Sequence, residues 1–147
     1  MVKSKYLISL VFIGIISGCG FHPPYKNDSI NAYITGQSNS QLATKLSRRF
    51  NNSLKPSLTV QITSESKRTN TGSFDSNGKE SGYNLVYSAL IKVFDSADNQ
   101  IFEKEYTTTT YIKKLSSSQA DRGQIEKTFE RLTDSVVRKF IRQINRL

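Results

Sequence analysis

"YNLVYSALIKVFD", residues 83–95, is the stretch that decides the fold of this 147-residue chain. Tyr83, Leu85, Tyr87, Ala89, Ile91 and Val93 fall on alternate positions, a period of two that predicts a strand with one continuous apolar face. Val86, Leu90 and Phe94 make the other face partly apolar, as in a central strand covered on both sides. Downstream, "SADNQ" reads as a turn and "IFEKEYTTTTYIKK", residues 101–114, as the partner strand, stiffened by four β-branched threonines. Upstream, Leu58, Val60 and Ile62 alternate with Thr59, Gln61 and Thr63 as a third strand of the same group.

Between them, "SESKRTNTGSFDSNGKESG", residues 64–82, is polar and carries Asn77-Gly78, a type I′ hairpin signal. Its composition suits either a disordered loop or two extended strand arms. Its Thr, Ser and Phe74 tolerate strand geometry, which favours the arms.

Further out, "INAYITG", residues 30–36, alternates as a short strand stopped by Gly36. Ser38 and Gln41 have the spacing of a capping box, and Leu42, Leu46, Phe50 and Leu54 then recur every four residues. This predicts an amphipathic helix over 39–54 with those four residues in the core, ended by Pro56. At the other end, Ser118 with Asp121 predicts an N-cap. Ile125, Phe129, Leu132, Val136, Phe140, Ile144 and Leu147 follow at steps of three and four. Arg138, Lys139, Arg142 and Arg146 crowd the last turns, where they complement the helix dipole on a solvated face or, alternatively, meet a membrane or glycolipid.

Strand, helix, three strands, helix is an α+β order. One apolar stripe per helix and a mostly antiparallel sheet make a two-layer sandwich the economical arrangement. No repeat and no second domain is evident, so residues 30–147 read as a single domain.

The N-terminal part reads differently. Lys3 and Lys5 precede an uncharged apolar run from Tyr6 to Ile16, closed by Ser17 and Gly18, the plan of an export signal over residues 1–18 and too short to span a bilayer comfortably. The chain's single cysteine, Cys19, follows at once and cannot form an intrachain disulfide. "ISGC", residues 16–19, resembles the bacterial lipobox, which implies cleavage before Cys19 and its acylation. Two or more acyl chains hold a protein stably on a membrane. Gly20, where Asp commonly marks inner-membrane retention in enterobacterial relatives, points by resemblance to the outer membrane. Residues 19–29, with Pro23 and Pro24, read as an irregular tether.

The formal charge is +9, from 21 Lys and Arg against 12 Asp and Glu. Without the two signal lysines the balance is about +7, which suggests an anionic partner. Export argues against nucleic acid, as does the lack of an RNP-like or zinc-finger pattern. The only histidine, His22, lies three residues past the anchor on the tether, a poor place for a preorganised base. There is no G-x-S-x-G elbow, second cysteine, phosphate loop or metal-spaced cluster, so no enzyme, cofactor or metal is expected.

"CGFH", residues 19–22, resembles the start of mature LptE, the lipopolysaccharide-assembly outer-membrane lipoprotein family. The order that follows is similar to that family throughout: strand and helix to Leu54, strand at 58–62, "NG" tip at 77–78, "YNLVYSALIKVFD", "IFEKEYTTTTY" and a closing helix with "VVRKFIRQI". The resemblance implies two helices packed on one face of a four-stranded sheet. It also implies a non-catalytic plug inside the LptD β-barrel that assists insertion of lipopolysaccharide (LPS) into the outer leaflet. Family members place basic residues at the hairpin tip and near the start of the last helix, to which Lys79 and Arg122 correspond here. Lys113 and Lys114 on the approach, and Lys67 and Arg68 on the second strand's arm, are further LPS-binding candidates. Tyr33, Tyr106 and Tyr111 would suit a wet barrel lumen. The rival reading is a pilotin-like lipoprotein that chaperones another outer-membrane channel.

Overall fold

The computed structural model describes residues 30–147. The signal, Cys19, the tether and His22 therefore lie outside the described residues. Strand β1 (Ala32–Gly36) is followed by helix α1 (Gln41–Ser47), strands β2 (Leu58–Phe74), β3 (Glu80–Phe94) and β4 (Gln100–Lys113), and helix α2 (Ser118–Ile144). They form one four-stranded sheet in the order β1-β2-β3-β4. β1 pairs parallel to β2 and the other neighbours are antiparallel, because α1 carries the chain back before β2 starts. Residues 64–82 continue the sheet as two long arms, as the strand reading anticipated.

Both helices cover the same face of the sheet. Leu85, Tyr87, Ala89, Ile91 and Val93 of β3, Val60 and Ile62 of β2, and Tyr106 and Ile112 of β4 are buried under Leu42, Leu46 and Phe50 and under the α2 stripe from Phe129 to Ile144. The expected covering of both faces is not found. Val86, Leu90 and Phe94 are half-buried among polar neighbours, and no helix lies over them among the described residues. Register explains the mixture: Arg68 pairs with Val86, which pairs with Thr109, and Ser64 with Leu90, which pairs with Glu105. Polar cross-strand neighbours shield these apolar side chains without a second layer.

A register shift between Ile62 and Ser64 has a larger consequence. An extra residue flips the side-chain alternation of everything beyond it. Val60 and Ile62 face the helices, and after the bulge Glu65 and Lys67 do so, while Arg68 moves to the open face. Glu65 thus stands in the row of Ala89 and Tyr106, and Tyr87 lies between Lys67 and Thr108. Tyr87 is fully buried and its phenol is pushed upward, first by desolvation and then by the Glu65 carboxylate. Tyr106, expected on a wet surface, is also buried, with its phenol pushed up to about 12 by desolvation.

The local readings of the helices shift. Ser40, not Ser38, is the N-cap of α1, its Oγ accepting from Ala43 N at 3.1 Å, because Ser38 N is bonded to the Gly36 carbonyl in the turn. The helix ends at Ser47 rather than Leu54. Asn51 N turns to donate to the Ile30 carbonyl at 3.0 Å, and Asn51 Oδ1 accepts from Ser53 N, so this Asn- and Ser-rich stretch satisfies its backbone outside a helix. Phe50 is still buried, but Leu54 is 41% exposed and not core. In α2 the N-cap is Ser117, one residue before the expected Ser118, and Leu147 at the far end is exposed.

The hairpin at 75–79 is not type I′. Gly78 has φ +73 but Asn77 does not take positive φ, and Gly78 N donates to the Asp75 carbonyl at 3.0 Å. This is a type I turn followed by a left-handed glycine. Asp75 Oδ1 accepts from Asn77 N and Lys79 N and so selects it. The β3–β4 turn repeats the device: Asp95 Oδ1 accepts from Ala97 N and Asn99 N, and Asp98 takes φ 65.

Candidate functional site

The antiparallel arms and α2 fix two ends of the molecule. At the tip end lie the β2–β3 turn, the last residues of β4 and the first turn of α2. At the base lie the β3–β4 turn, the start of β1 and the last turns of α2.

The tip end is built around two carboxylates. Asp121, buried in the first turn of α2, accepts from Tyr83 Oη at 2.9 Å and from Leu115 N at 2.8 Å. It thereby ties the helix to the central strand and to the loop before it, and burial raises the Tyr83 phenol. Glu80 accepts from Thr71 Oγ1 at 2.6 Å and from Lys114 Nζ at 3.1 Å, and these two bonds hold its carboxyl below the ordinary range. Lys114 also lies 5.6 Å from the Tyr83 ring centre, and its ammonium is raised by Glu80 and then Tyr83. The capping-type Ser and Asp spacing was visible in sequence. That Asp121 holds a tyrosine from the middle of the sheet was not.

Four of the six candidate cations share this end. Lys79 is exposed beside Glu80, Lys113 is exposed where its carbonyl accepts from Gln124 Nε2 at 3.3 Å, Lys114 is paired as described, and Arg122 is exposed one position past Asp121. The other two are separated from them and from each other. Lys67 Nζ donates to Gln41 Oε1 at 3.2 Å and stands 5.9 Å from the Phe129 ring centre, on the helix side. Arg68 is on the open face opposite Val86. Lys114 and Lys67 are committed to protein contacts, which leaves Lys79, Lys113 and Arg122 as outward charges at the tip.

The open sheet face carries hydroxyls in contact. Ser73 Oγ lies 2.8 Å from both Ser81 Oγ and Tyr111 Oη, and Ser88 Oγ lies 3.0 Å from Thr107 Oγ1. Tyr111 lies against Gly82, where a Cβ would run into its ring, so the glycine provides the seat for the tyrosine. Tyr33 and Tyr111 are exposed, at 66% and 47%. Among the described residues, no strand pairs with the outer edge of β2 beyond Gly36 or with the outer edge of β4.

Among the described residues no cluster of His, Cys, Asp and Glu could hold a metal ion, and no helix is long and apolar enough to cross a membrane.

The four-stranded sheet with both helices on one face matches what the LptE resemblance implies, and a direct comparison decides the matter. The family model for LptE, lipopolysaccharide assembly, matches residues 23–144. The chain belongs to the LptE family. That family is a non-enzymatic one with a role in lipopolysaccharide assembly. Solved structures agree on the LptE fold. Rare lipoprotein B from Shewanella oneidensis superposes with a TM-score of 0.67 at 10% identity, over 78% of this chain and 92% of that one. Lipoprotein B from Nitrosomonas europaea gives 0.62 at 17%, over 82% and 83%. A minor lipoprotein from Acinetobacter baumannii gives 0.55 at 16%, over 79% and 90%. No curated protein matches the chain closely enough in sequence to count as a relative.

Proposed function

We propose that the mature chain is an outer-membrane lipoprotein, anchored through acylated Cys19, that occupies the lumen of the LptD β-barrel, helps that barrel assemble and assists insertion of LPS into the outer leaflet. Family membership over residues 23–144 carries this reading. The molecule's surface is consistent with it. A sheet whose outer face is hydroxyl-rich and, among the described residues, uncovered suits a polar, enclosed partner better than bulk lipid, because serine, threonine and tyrosine exchange water for protein hydrogen bonds at little cost. Tyr33 and Tyr111 add apolar area with a polar end, the combination favoured in wet interfaces.

LPS phosphates would meet Lys79, Lys113 and Arg122 at the tip end, with Lys114, Lys67 and Arg68 in supporting places. Arg122 offers a guanidinium fork suited to phosphate, and the first turn of α2 adds the positive end of the helix dipole. Replacing Lys79 and Arg122 together by Glu is expected to weaken LPS binding about tenfold or more at low salt, measured on the purified protein. Unchanged affinity removes these two residues from the site.

The partnership is tested by purifying the tagged chain from detergent-solubilised membranes. LptD is expected to dominate the recovered material. Recovery of a different outer-membrane channel in its place would favour the pilotin reading instead.

A further inference from the structure

At the base of the molecule a second basic surface gathers residues from the ends of both helices and the chain just past them. A cavity of about 570 Å³ is lined by Arg49 after α1, by Arg138 and Arg142 of α2 and by Arg146 just past its end, over Val137 and Ile141. An adjoining one of about 330 Å³ includes Lys104 and Lys139, with Glu105 as its acidic member. Arg138 and Arg142 lie one turn apart and so share one face of α2, and Arg146 follows just past its end. None of them, nor Lys139, takes part in an ion pair among the described residues: those pairs are Lys45–Asp134, Lys92–Glu103 and Lys114–Glu80. Arg142 Nε and Lys139 Nζ donate to the carbonyls of Arg138 and Thr107, each at 3.3 Å.

The helix dipole does not account for this density. Its influence fades within the last turn, which contains Arg142 alone of these cations. Arg138 and Lys139 stand further back, and Arg49 comes from another element. Several guanidinium groups around a shallow groove with an apolar floor suit a ligand that joins phosphate to aliphatic carbon.

Where the chain joins the fold says which such ligand is at hand. Asn51, two residues past Arg49, donates its N–H to the Ile30 carbonyl, and Asn31 Nδ2 donates to the Leu54 carbonyl at 2.6 Å. The segment that connects the domain to Cys19 therefore begins beside the arginine groove and away from the tip. Residues 19–29 reach at most about 40 Å when extended, so an anchor at Cys19 keeps this end near the bilayer surface.

We infer that the arginine groove docks onto the anionic phosphate headgroups of the phospholipid leaflet that holds the anchor, and so sets which end of the domain faces the membrane. This rests on the anchored reading given above, and separate measurements address the two. The native acylated chain should float with neutral phosphatidylcholine vesicles; failure there rejects the anchor and leaves the groove to its own test. For the groove, the mature chain with Cys19→Ala is mixed with vesicles at low salt. Binding to vesicles containing phosphatidylglycerol, and none to phosphatidylcholine alone, is expected. R138Q should weaken it about fivefold and R138Q/R142Q/R146Q on the order of a hundredfold, while K127Q, which also removes one exposed charge from α2 but lies outside the groove, changes it less than about twofold. Circular dichroism shows that each variant is folded. No binding to anionic vesicles, or a loss from K127Q equal to that from R138Q, overturns the inference. Equal binding to phosphatidylcholine vesicles doped with lipopolysaccharide overturns the phospholipid assignment in favour of a glycolipid.

Discussion

Replacing Phe140 by alanine is expected to lower the free energy of unfolding by about 3–5 kcal/mol. Phe140 is fully buried in α2, with its ring 6.0 Å from that of Tyr106 in an edge-to-face arrangement and 6.4 Å from that of Phe102. Truncation removes the apolar area, both aromatic contacts and the support of two β4 side chains at once. Collapse is hard because Tyr106 and Phe102 belong to a strand held by its pairing with β3. A domain of this size has about 5–15 kcal/mol in total, so the variant should stay folded with a much reduced margin. Urea denaturation of the wild type, Phe140→Leu and Phe140→Ala checks the order. A loss below about 1 kcal/mol for alanine would mean that α2 is not packed on the sheet as described.

Gly36→Ala is expected to cost about 2–4 kcal/mol, and Gly78→Ala only about 1 kcal/mol, although both glycines have nearly the same φ. Gly36 has φ +78 and Gly78 φ +73, so both substitutions incur the left-handed penalty. They differ in space. A methyl at position 36 would overlap the Ile62 carbonyl oxygen, which accepts from Gln37 N at 3.1 Å, whereas nothing lies near a methyl at position 78. The first substitution must push β1 off β2 or break the bond that turns the chain toward α1. Thermal unfolding of the two variants side by side separates conformational strain from collision. Equal losses would contradict the close approach of Gly36 to β2.

The parts of this fold that could be read in advance are those where periodicity and tertiary structure agree. β3 and α2 each carry a long pattern; in β3 it selects the buried apolar residues, and in α2 it selects Phe129, Leu132, Val136, Phe140 and Ile144 but misses Val137 and Ile141 and overruns to Leu147. The misreadings have local causes. A bulge beyond Ile62 leaves no compositional mark, yet it decides that Lys67 faces the helices and Arg68 the open face, the strand's own alternation already parting the two neighbours. Asn77-Gly78 resembles a type I′ turn until the Asp75 carboxylate is seen gathering the amides of Asn77 and Lys79. Leu54 continued a helical spacing that the backbone had already left at Asn51 to meet Ile30. Of the candidate cations, Lys113, Lys114 and Arg122 lie at the same end, because short connections keep sequence neighbours close in space. The convergence of Arg49 with Arg138 joins residues far apart in the chain, and no local pattern announces it.

The claim on which the account turns is that this LptE-family chain serves the delivery of LPS to the cell surface. Depleting the chain and following newly synthesised LPS by surface labelling tests it most directly. The account predicts that new LPS stops reaching the outer leaflet and accumulates inside, and that the intact chain restores delivery. Continued surface appearance of new LPS at the normal rate in depleted cells would contradict it.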